Sequence, residues 1–359
     1  MHSLMRRAWV DVDLGALLRN GAALAARAGV PLLPMVKADA YGLGAERIAR
    51  VLQRLDPWGF GVATVGEGDE LRRGGITRRI VIFSPILVGD FDAAVRGDFT
   101  PTLSDAAAIS RWRETRLPWH LAIDTGMSRA GIQWDEIDTL HDVLLENPPE
   151  GAFTHFHSAE KSDGTREIQE QRFDEAVSRI PIRPQFLHAE NSPAIEHGGP
   201  SKWSFARPGI FLYGVSSGNN PGITPEPVVS VQARILELRT IREGETDSNG
   251  GTNRAEGDRR IATLGIGYGD GYRRVLSNRA AVLVAGERAP VVGKVTMDMT
   301  MIDVTEVPCA VGDAVTLIGA QGDERIDVAE VAAMGELSPY EVLTSLRGRL
   351  PRRYLGDRE

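Results

Sequence analysis

The sequence predicts an α/β protein: an N-terminal (β/α)8 TIM barrel followed by a C-terminal β-rich domain. Three observations lead there. Over the first two-thirds of the chain, short β-rich runs alternate with amphipathic helical patterns, as repeated βα units do. Eight such units within about 220 residues fit a closed barrel better than an open sheet. After Pro225 the texture changes to strands separated by Gly, Asn and Asp turns. The boundaries read from this pattern are residues 9–230 for the barrel and 231–359 for the second domain, which residues 1–8 join as an N-terminal strand.

The barrel strands are expected at 32–37, 59–64, 79–84, 100–103, His120–Asp124, 151–155, 185–188 and 209–213. Residues 45–55 read as a helix with Ile48, Val51, Leu52 and Leu55 on one face. Residues 165–180 read as another, with Ile168, Phe173, Ala176 and Val177 inward and charges opposite. In the second domain strands are expected at 228–241, 260–267, 280–284, 289–295, 300–304 and 314–318, and helices near 327–334 and 338–346. The run Ala8–Asp13 is a candidate partner for the strand at 228–241. No internal repeat or low-complexity tract is visible.

The chain of 359 residues is 42% hydrophobic and 25% charged, the composition of a globular protein with a full core. A net charge of −8 argues against a broad nucleic-acid footprint, and the one basic run, 347–353, reads as a solvated face. A single cysteine, Cys309, excludes an internal disulfide and a Cys-based metal site and fits a cytoplasmic setting. Residues 1–7 are basic, but Asp11 and Asp13 stand where a signal peptide needs an apolar stretch. The longest strongly apolar run, 80–88, is too short for a bilayer, so no membrane partner is expected.

In barrel enzymes the C-terminal ends of the strands carry the chemistry. Strand one ends in Lys37, with Tyr41 four residues on. A lysine closing a buried run has a lowered pKa and suits Schiff-base chemistry, although a surface lysine capping a strand gives the same pattern. Strand five ends in Asp124-Thr125-Gly126-Met127-Ser128-Arg129, strand six in Thr154-His155-Phe156-His157 and strand seven in His188-Ala189-Glu190-Asn191-Ser192. Arg207-Pro208-Gly209-Ile210 leads into strand eight. Zinc ligation by His155, His157 and His188 with Glu190 is one alternative, but strand one offers lysine where a metal hydrolase barrel would present His-x-His. Phosphate binding suits the loops after strands seven and eight better, with Ser192 and the Gly209-Ile210 backbone as neutral donors. A reactive lysine beside a phosphate site points to pyridoxal 5'-phosphate on Lys37. Arg207 would then be available to the pyridine nitrogen, a salt-bridged structural arginine being the alternative.

These residues resemble the alanine racemases, pyridoxal-phosphate enzymes with a barrel and a C-terminal β domain, over nearly the whole chain. The matching motifs are 36–42, 124–129, Thr154-His155-Phe156, Asn191-Ser192, Arg207-Pro208-Gly209-Ile210, Gly267-Tyr268-Gly269-Asp270-Gly271, Met297-Asp298 and 349–354. The resemblance implies that Lys37 forms the imine with the cofactor and is the base on one face of the substrate Cα. It implies that Tyr41, Ser192, Gly209, Ile210 and Tyr354 hold the phosphate, and that Arg207 meets the pyridine nitrogen within a network ordered by His155 and His188. Asn191 joins the cofactor-binding set, and Arg129 with the Met297 backbone takes the substrate carboxylate. It further implies a head-to-tail homodimer in which Tyr268, Met297 and Asp298 serve the partner's site.

The sequence departs from the family at two positions. The family's second acid–base group is a tyrosine in a Ser-Tyr-Gly motif, and ungapped alignment back from Tyr268 places Ser248-Asn249-Gly250 there. No tyrosine occurs between Tyr213 and Tyr268, and an amide such as Asn249 has no useful pKa. Two residues before Asp124, where many members carry a carbamylated lysine that orients the arginine, this chain has Ala122. Three readings follow. One is an amino-acid racemase, most simply of alanine, with Tyr268, His155 or a water serving the second face. The second is a diverged pyridoxal-phosphate enzyme such as a β-hydroxy amino acid aldolase, and the third is a non-catalytic cofactor-binding protein.

Overall fold

Short, mostly buried and mainly apolar strands build the first part of the molecule, as expected of parallel strands covered on both faces. The computed structural model describes residues 6–356 apart from 219–221, 248–252, 255–256 and 347. Contacts divide the chain into two units. One, the barrel unit, comprises Leu17–Ala40 and Gly44–Glu226; the other, the β unit, comprises Met1–Ala16, Tyr41–Leu43 and Pro227–Glu359. Residues 9–16 therefore group with the β unit, whereas the sequence boundaries place them in the barrel.

In the barrel unit parallel strands run in the order Phe60–Val62, Ile80–Ile82, Phe99–Leu103, His120–Asp124, Gly151–Phe153 and Phe186–His188. Two less regular segments close the ring. Leu33 N donates to Ala206 O (2.7 Å) and Met35 N to Pro208 O (2.8 Å), while Val36 N donates to Gly61 O (2.9 Å). On the other side Ser204 N donates to Leu187 O (2.8 Å) and Arg207 N to Glu190 O (2.9 Å). Strand one is thus present at 32–36 only as isolated bridges, Leu32 to Ala206 and Met35 to Gly61. Pro31, Pro34 and Pro208 have no N–H to complete a ladder.

The eighth position of the ring lies at 204–208, five residues earlier than expected. Ile210–Tyr213, read as a strand, is a buried 3-10 turn. A short continuous apolar run has no periodicity to separate the two conformations. The helix Ala45–Leu52, continued by a 3-10 turn to Leu55, buries Ile48, Val51 and Leu52 as anticipated, while Leu55, expected on the same face, is only half-buried because the turn winds tighter there. In Thr165–Ser178, Phe173, Ala176 and Val177 are buried, but Ile168 is 50% exposed; Gln169 takes the inward position and bonds Thr125 Oγ1 and His155 O.

The β unit is built on Val229–Ile241, which pairs antiparallel with Arg259–Leu264 and with Ala8–Asp13. Ala314–Gln321 pairs with Val229–Ile241 as well as with Ala281–Val284, so the sheet closes on itself. Ala8–Asp13 is flanked on its other edge by Arg352–Leu355 in parallel, with Val12 opposite Tyr354. The helices Val328–Gly335 and Pro339–Thr344 fall where the sequence places them.

Candidate active site

The C-terminal ends of the barrel strands surround a cavity of about 400 Å³ lined by Lys37, Ala122, Asp124, Arg129, Thr154 and His155 among others. Lys37 follows directly on the buried segment 32–36 and is itself half-buried. Its amine has no hydrogen bond or ion pair among the described residues. Burial lowers its pKa, Arg129 lowers it further and Glu67 opposes the shift, with Arg207 a smaller lowering influence.

The chain leaves Lys37 through an uncommon turn. Ala38, Asp39, Ala40 and Tyr41 all have φ between 52° and 57°, followed by Gly42 at 85°, a left-handed helical turn. Such a conformation costs about 1–2 kcal/mol per non-glycine residue, so it persists only where its surroundings impose it. Glu67 does so by accepting from Ala38 N (2.8 Å) and Ala63 N (2.7 Å), and Asp39 Oδ1 accepts from Ala45 N (2.8 Å). Tyr41 is buried, and burial, then Tyr340, push its phenol well above the usual range.

Arg207 is buried, and four of its five N–H donors are committed. NH1 donates to His188 Nδ1 (2.5 Å) and His188 O (2.9 Å), and NH2 to Thr154 O (2.7 Å) and Ala189 O (3.0 Å). The guanidinium lies over Phe83 and Phe153, 5.5 and 5.1 Å from the ring centres. Burial brings its pKa down to about 9, which leaves it charged at neutral pH. The Nε–H has no acceptor among the described residues.

His155 is half-buried, and its ring makes no hydrogen bond among the described residues. Burial, reinforced by Arg207, Arg129 and Lys37, drives its pKa to about 3, so the imidazole is neutral. Arg129 stands on the loop after His120–Asp124 and is exposed and unpaired among the described residues. Asp124 shapes that loop, its Oδ1 accepting from Gly126 N (2.9 Å) and Ser128 N (3.1 Å). Ala122, buried at the cavity wall, presents only a methyl group.

Behind this group, Asn191 caps the turn of helix Ser192–His197, accepting from Ala194 N (3.2 Å) and donating to Phe156 O (3.1 Å). Ser192 Oγ accepts from Gly209 N (2.8 Å) and Phe211 N (3.4 Å). The Ile210 N–H, which opens its 3-10 turn, has no acceptor among the described residues. The three histidines weighed as zinc ligands do not converge. His155 lines the cavity, His188 is buried against Arg207, and His157 is exposed, its Nδ1 2.8 Å from Ser158 Oγ.

The remaining sequence-predicted residues lie in the β unit. Tyr268 and Met297 are 39% and 53% exposed. Tyr268 N donates to Thr296 O (2.9 Å) and Gly269 N to Met297 O (2.8 Å), while Asp298 accepts from Arg349 (2.6 Å). These three therefore form one surface. Tyr354 donates its hydroxyl hydrogen to Leu43 O (2.9 Å). Asn249 lies outside the described residues. Sequence reasoning missed Glu67, which holds the left-handed turn, and His120, the second neighbour of His188; neither sits in a motif at a strand's C-terminal end.

Comparison with known proteins gives a consistent result. The family models for the alanine racemase N-terminal and C-terminal domains match residues 12–217 and 228–354. The alanine racemase of Deinococcus radiodurans is 37% identical over 358 residues, covering 98% of this chain and 99% of that protein. Among solved structures, alanine racemase from E. faecalis superposes with a TM-score of 0.92 at 30% identity, covering 98% of this chain and 99% of that one. Alanine racemase from Bartonella henselae, solved with covalently bound pyridoxal phosphate, gives 0.90 at 28% identity over 97% and 99% of the two chains.

Proposed function

The chain belongs to the alanine racemase family, and from that premise we propose that it is a pyridoxal-phosphate-dependent racemase interconverting L- and D-alanine. The observation that carries the proposal is the unpaired Lys37 amine, with a lowered pKa, on the same cavity as Arg129 and His155.

The residues present fit the cofactor. Lys37 supplies a free amine for covalent attachment, the Arg207 Nε–H is an uncommitted donor for the ring nitrogen, and the Ser192 hydroxyl with the Ile210 N–H supplies phosphate donors, the Gly209 N–H being held by Ser192 Oγ. Bound there, pyridoxal phosphate supplies the electron sink that makes a substrate Cα–H acidic. The chain's own residues do the rest. Lys37 moves the proton on one face, its lowered pKa keeping a fraction of the amine unprotonated. Arg129, with no side-chain partner, is available to the substrate carboxylate. Arg207, held charged by its four buried acceptors, would offer the cofactor's ring nitrogen a donor and no proton to give up, which would limit how far that ring withdraws electrons.

Proton delivery to the second face is the open link, because Asn249 stands where the family has a tyrosine. Tyr268, His155 or a water takes that role in this reading. The surface formed by exposed Tyr268 and Met297 with half-buried Asp298 supports a homodimer in which these residues serve the partner chain's site. A second reading, retro-aldol cleavage of a β-hydroxy amino acid, is favoured by His155, a neutral and unbonded imidazole on the cavity. Incubation of L-alanine and L-threonine with the protein and pyridoxal phosphate, followed by chiral chromatography, separates the two. D-Alanine supports racemisation; glycine and acetaldehyde without D-alanine overturn it. An Asn249→Tyr variant is expected to racemise about 100-fold faster, the usual worth of a positioned general acid–base group.

A further inference from the structure

A guanidinium can only donate, so the contacts of Arg207 reveal where the protons behind it sit. Because Arg207 NH1 lies 2.5 Å from His188 Nδ1, that nitrogen accepts, and the His188 proton sits on Nε2. His188 Nε2 is 2.9 Å from His120 Nδ1, so His120 Nδ1 accepts in turn and its proton sits on Nε2. That last N–H faces Glu150, with Oε2 3.9 Å away, and has no other partner among the described residues. Glu150 is paired with Arg79 at 2.6 Å on the outer side. Burial pushes the Glu150 carboxyl up, but His120 and Arg79 outweigh it and hold the group below the usual range, as a carboxylate.

Both imidazoles are fully buried, and aromatic rings fix their planes. His188 stacks on Phe153 at 5.1 Å and 9°, and lies 4.5 Å from Phe205; Trp58 covers His120 at 5.8 Å. His120 opens its strand, whereas His188 ends its own at the cavity side of the barrel. A one-way chain of donors therefore runs from Arg207 through the barrel interior to the Glu150–Arg79 pair.

From this chain we infer that His120 is a positioning residue for Arg207: by accepting from His188 Nε2 it holds His188 in the tautomer that accepts from Arg207, leaving the Arg207 Nε–H as the donor offered to the cofactor. If His188 carried its proton on Nδ1, two donors would face each other at 2.5 Å, and Arg207 would have to turn. The inference rests on the proposed placement of the cofactor at Arg207, but the tautomer pattern itself does not.

The test uses selectively 15N-histidine-labelled protein. In the cofactor-free wild type, two-bond 1H–15N spectra are expected to show the proton on Nε2 of both His188 and His120. His120→Leu removes the acceptor and is expected to mix the His188 tautomers, lower kcat roughly tenfold or more with KM unchanged, and shift the visible absorption of bound pyridoxal phosphate. His120→Asn places an amide oxygen near the former Nδ1 position and is expected to restore the single tautomer and most of kcat. A His188 tautomer unchanged in His120→Leu, or an unchanged kcat there, overturns the inference. If His120→Leu does not fold, a proton on Nδ1 of either ring in the wild type, or mixed tautomers in His120→Asn, overturns it. Failure of the wild type to bind pyridoxal phosphate or racemise overturns the functional reading instead, and the tautomer spectra then decide the relay alone.

Discussion

Replacing Arg207 by lysine isolates what the guanidinium contributes beyond its charge. Four N–H groups of Arg207 reach four buried acceptors: His188 Nδ1 and the carbonyl oxygens of His188, Thr154 and Ala189. An ammonium has three donors, so at least one acceptor is left without a partner. A buried unsatisfied acceptor costs about 1–3 kcal/mol. For a domain of this size each kcal/mol moves Tm by about 2–4 °C, which gives a fall of about 2–12 °C for the cofactor-free protein. The lysine also has no counterpart to the free Nε–H, so kcat for alanine is expected to drop by a larger factor than the stability loss alone explains. Thermal unfolding by circular dichroism and steady-state kinetics on the same preparation check both parts. A Tm unchanged within error, or full activity in a stable variant, would refute the reasoning that this web fixes the arginine.

Glu67→Gln removes the one charge that opposes the lowered pKa of Lys37, so the acid limb of the kcat/KM profile that Lys37 sets should move to lower pH; a move upward contradicts it. Gly131 has φ +115°, and an added Cβ would lie 2.8 Å from Asp124 N. Gly131→Ala should therefore strain the Arg129 loop by about 1–3 kcal/mol and raise KM for alanine more than it lowers kcat, as measured by initial rates. The fold holds His155, His188 and His120 neutral, the first with a pKa of about 3. Below about pH 6.5 the unfolded chain binds protons that the native state refuses, so stability should fall progressively as pH drops from there toward 3. Urea midpoints across that window check the slope, and His155→Gln should make it shallower.

The barrel was legible because its strands are short, apolar and evenly spaced, and because Lys37, Arg129, His155 and Arg207 stand in motifs at strand ends. What the sequence concealed was backbone geometry. The eighth position of the ring lies at 204–208 and not at Ile210–Tyr213, because four buried apolar residues read alike as strand or 3-10 turn. The left-handed turn after Lys37 was hidden for a different reason. Ala38 and Ala40 disfavour positive φ, a lone Asp39 is too weak a signal for four such residues in a row, and Glu67, 29 positions from Ala38, helps impose them. Ile168 faces outward because Gln169 is needed inside to bind Thr125 and His155 O, a polar demand that periodicity cannot reveal. His120 opens a strand and stands in no motif, and its contact with His188 at 2.9 Å joins positions 68 apart in the chain.

The central claim is that Lys37 and the cavity beside it invert the Cα of alanine. Incubating L-alanine with the protein and pyridoxal phosphate in deuterium oxide, then separating enantiomers with mass detection, tests it most directly. The expected result is D-alanine carrying deuterium at Cα, formed until the two enantiomers are equal, and lost in Lys37→Ala. Exchange of the Cα hydrogen in L-alanine without any D-alanine, or undiminished inversion in Lys37→Ala, would contradict it.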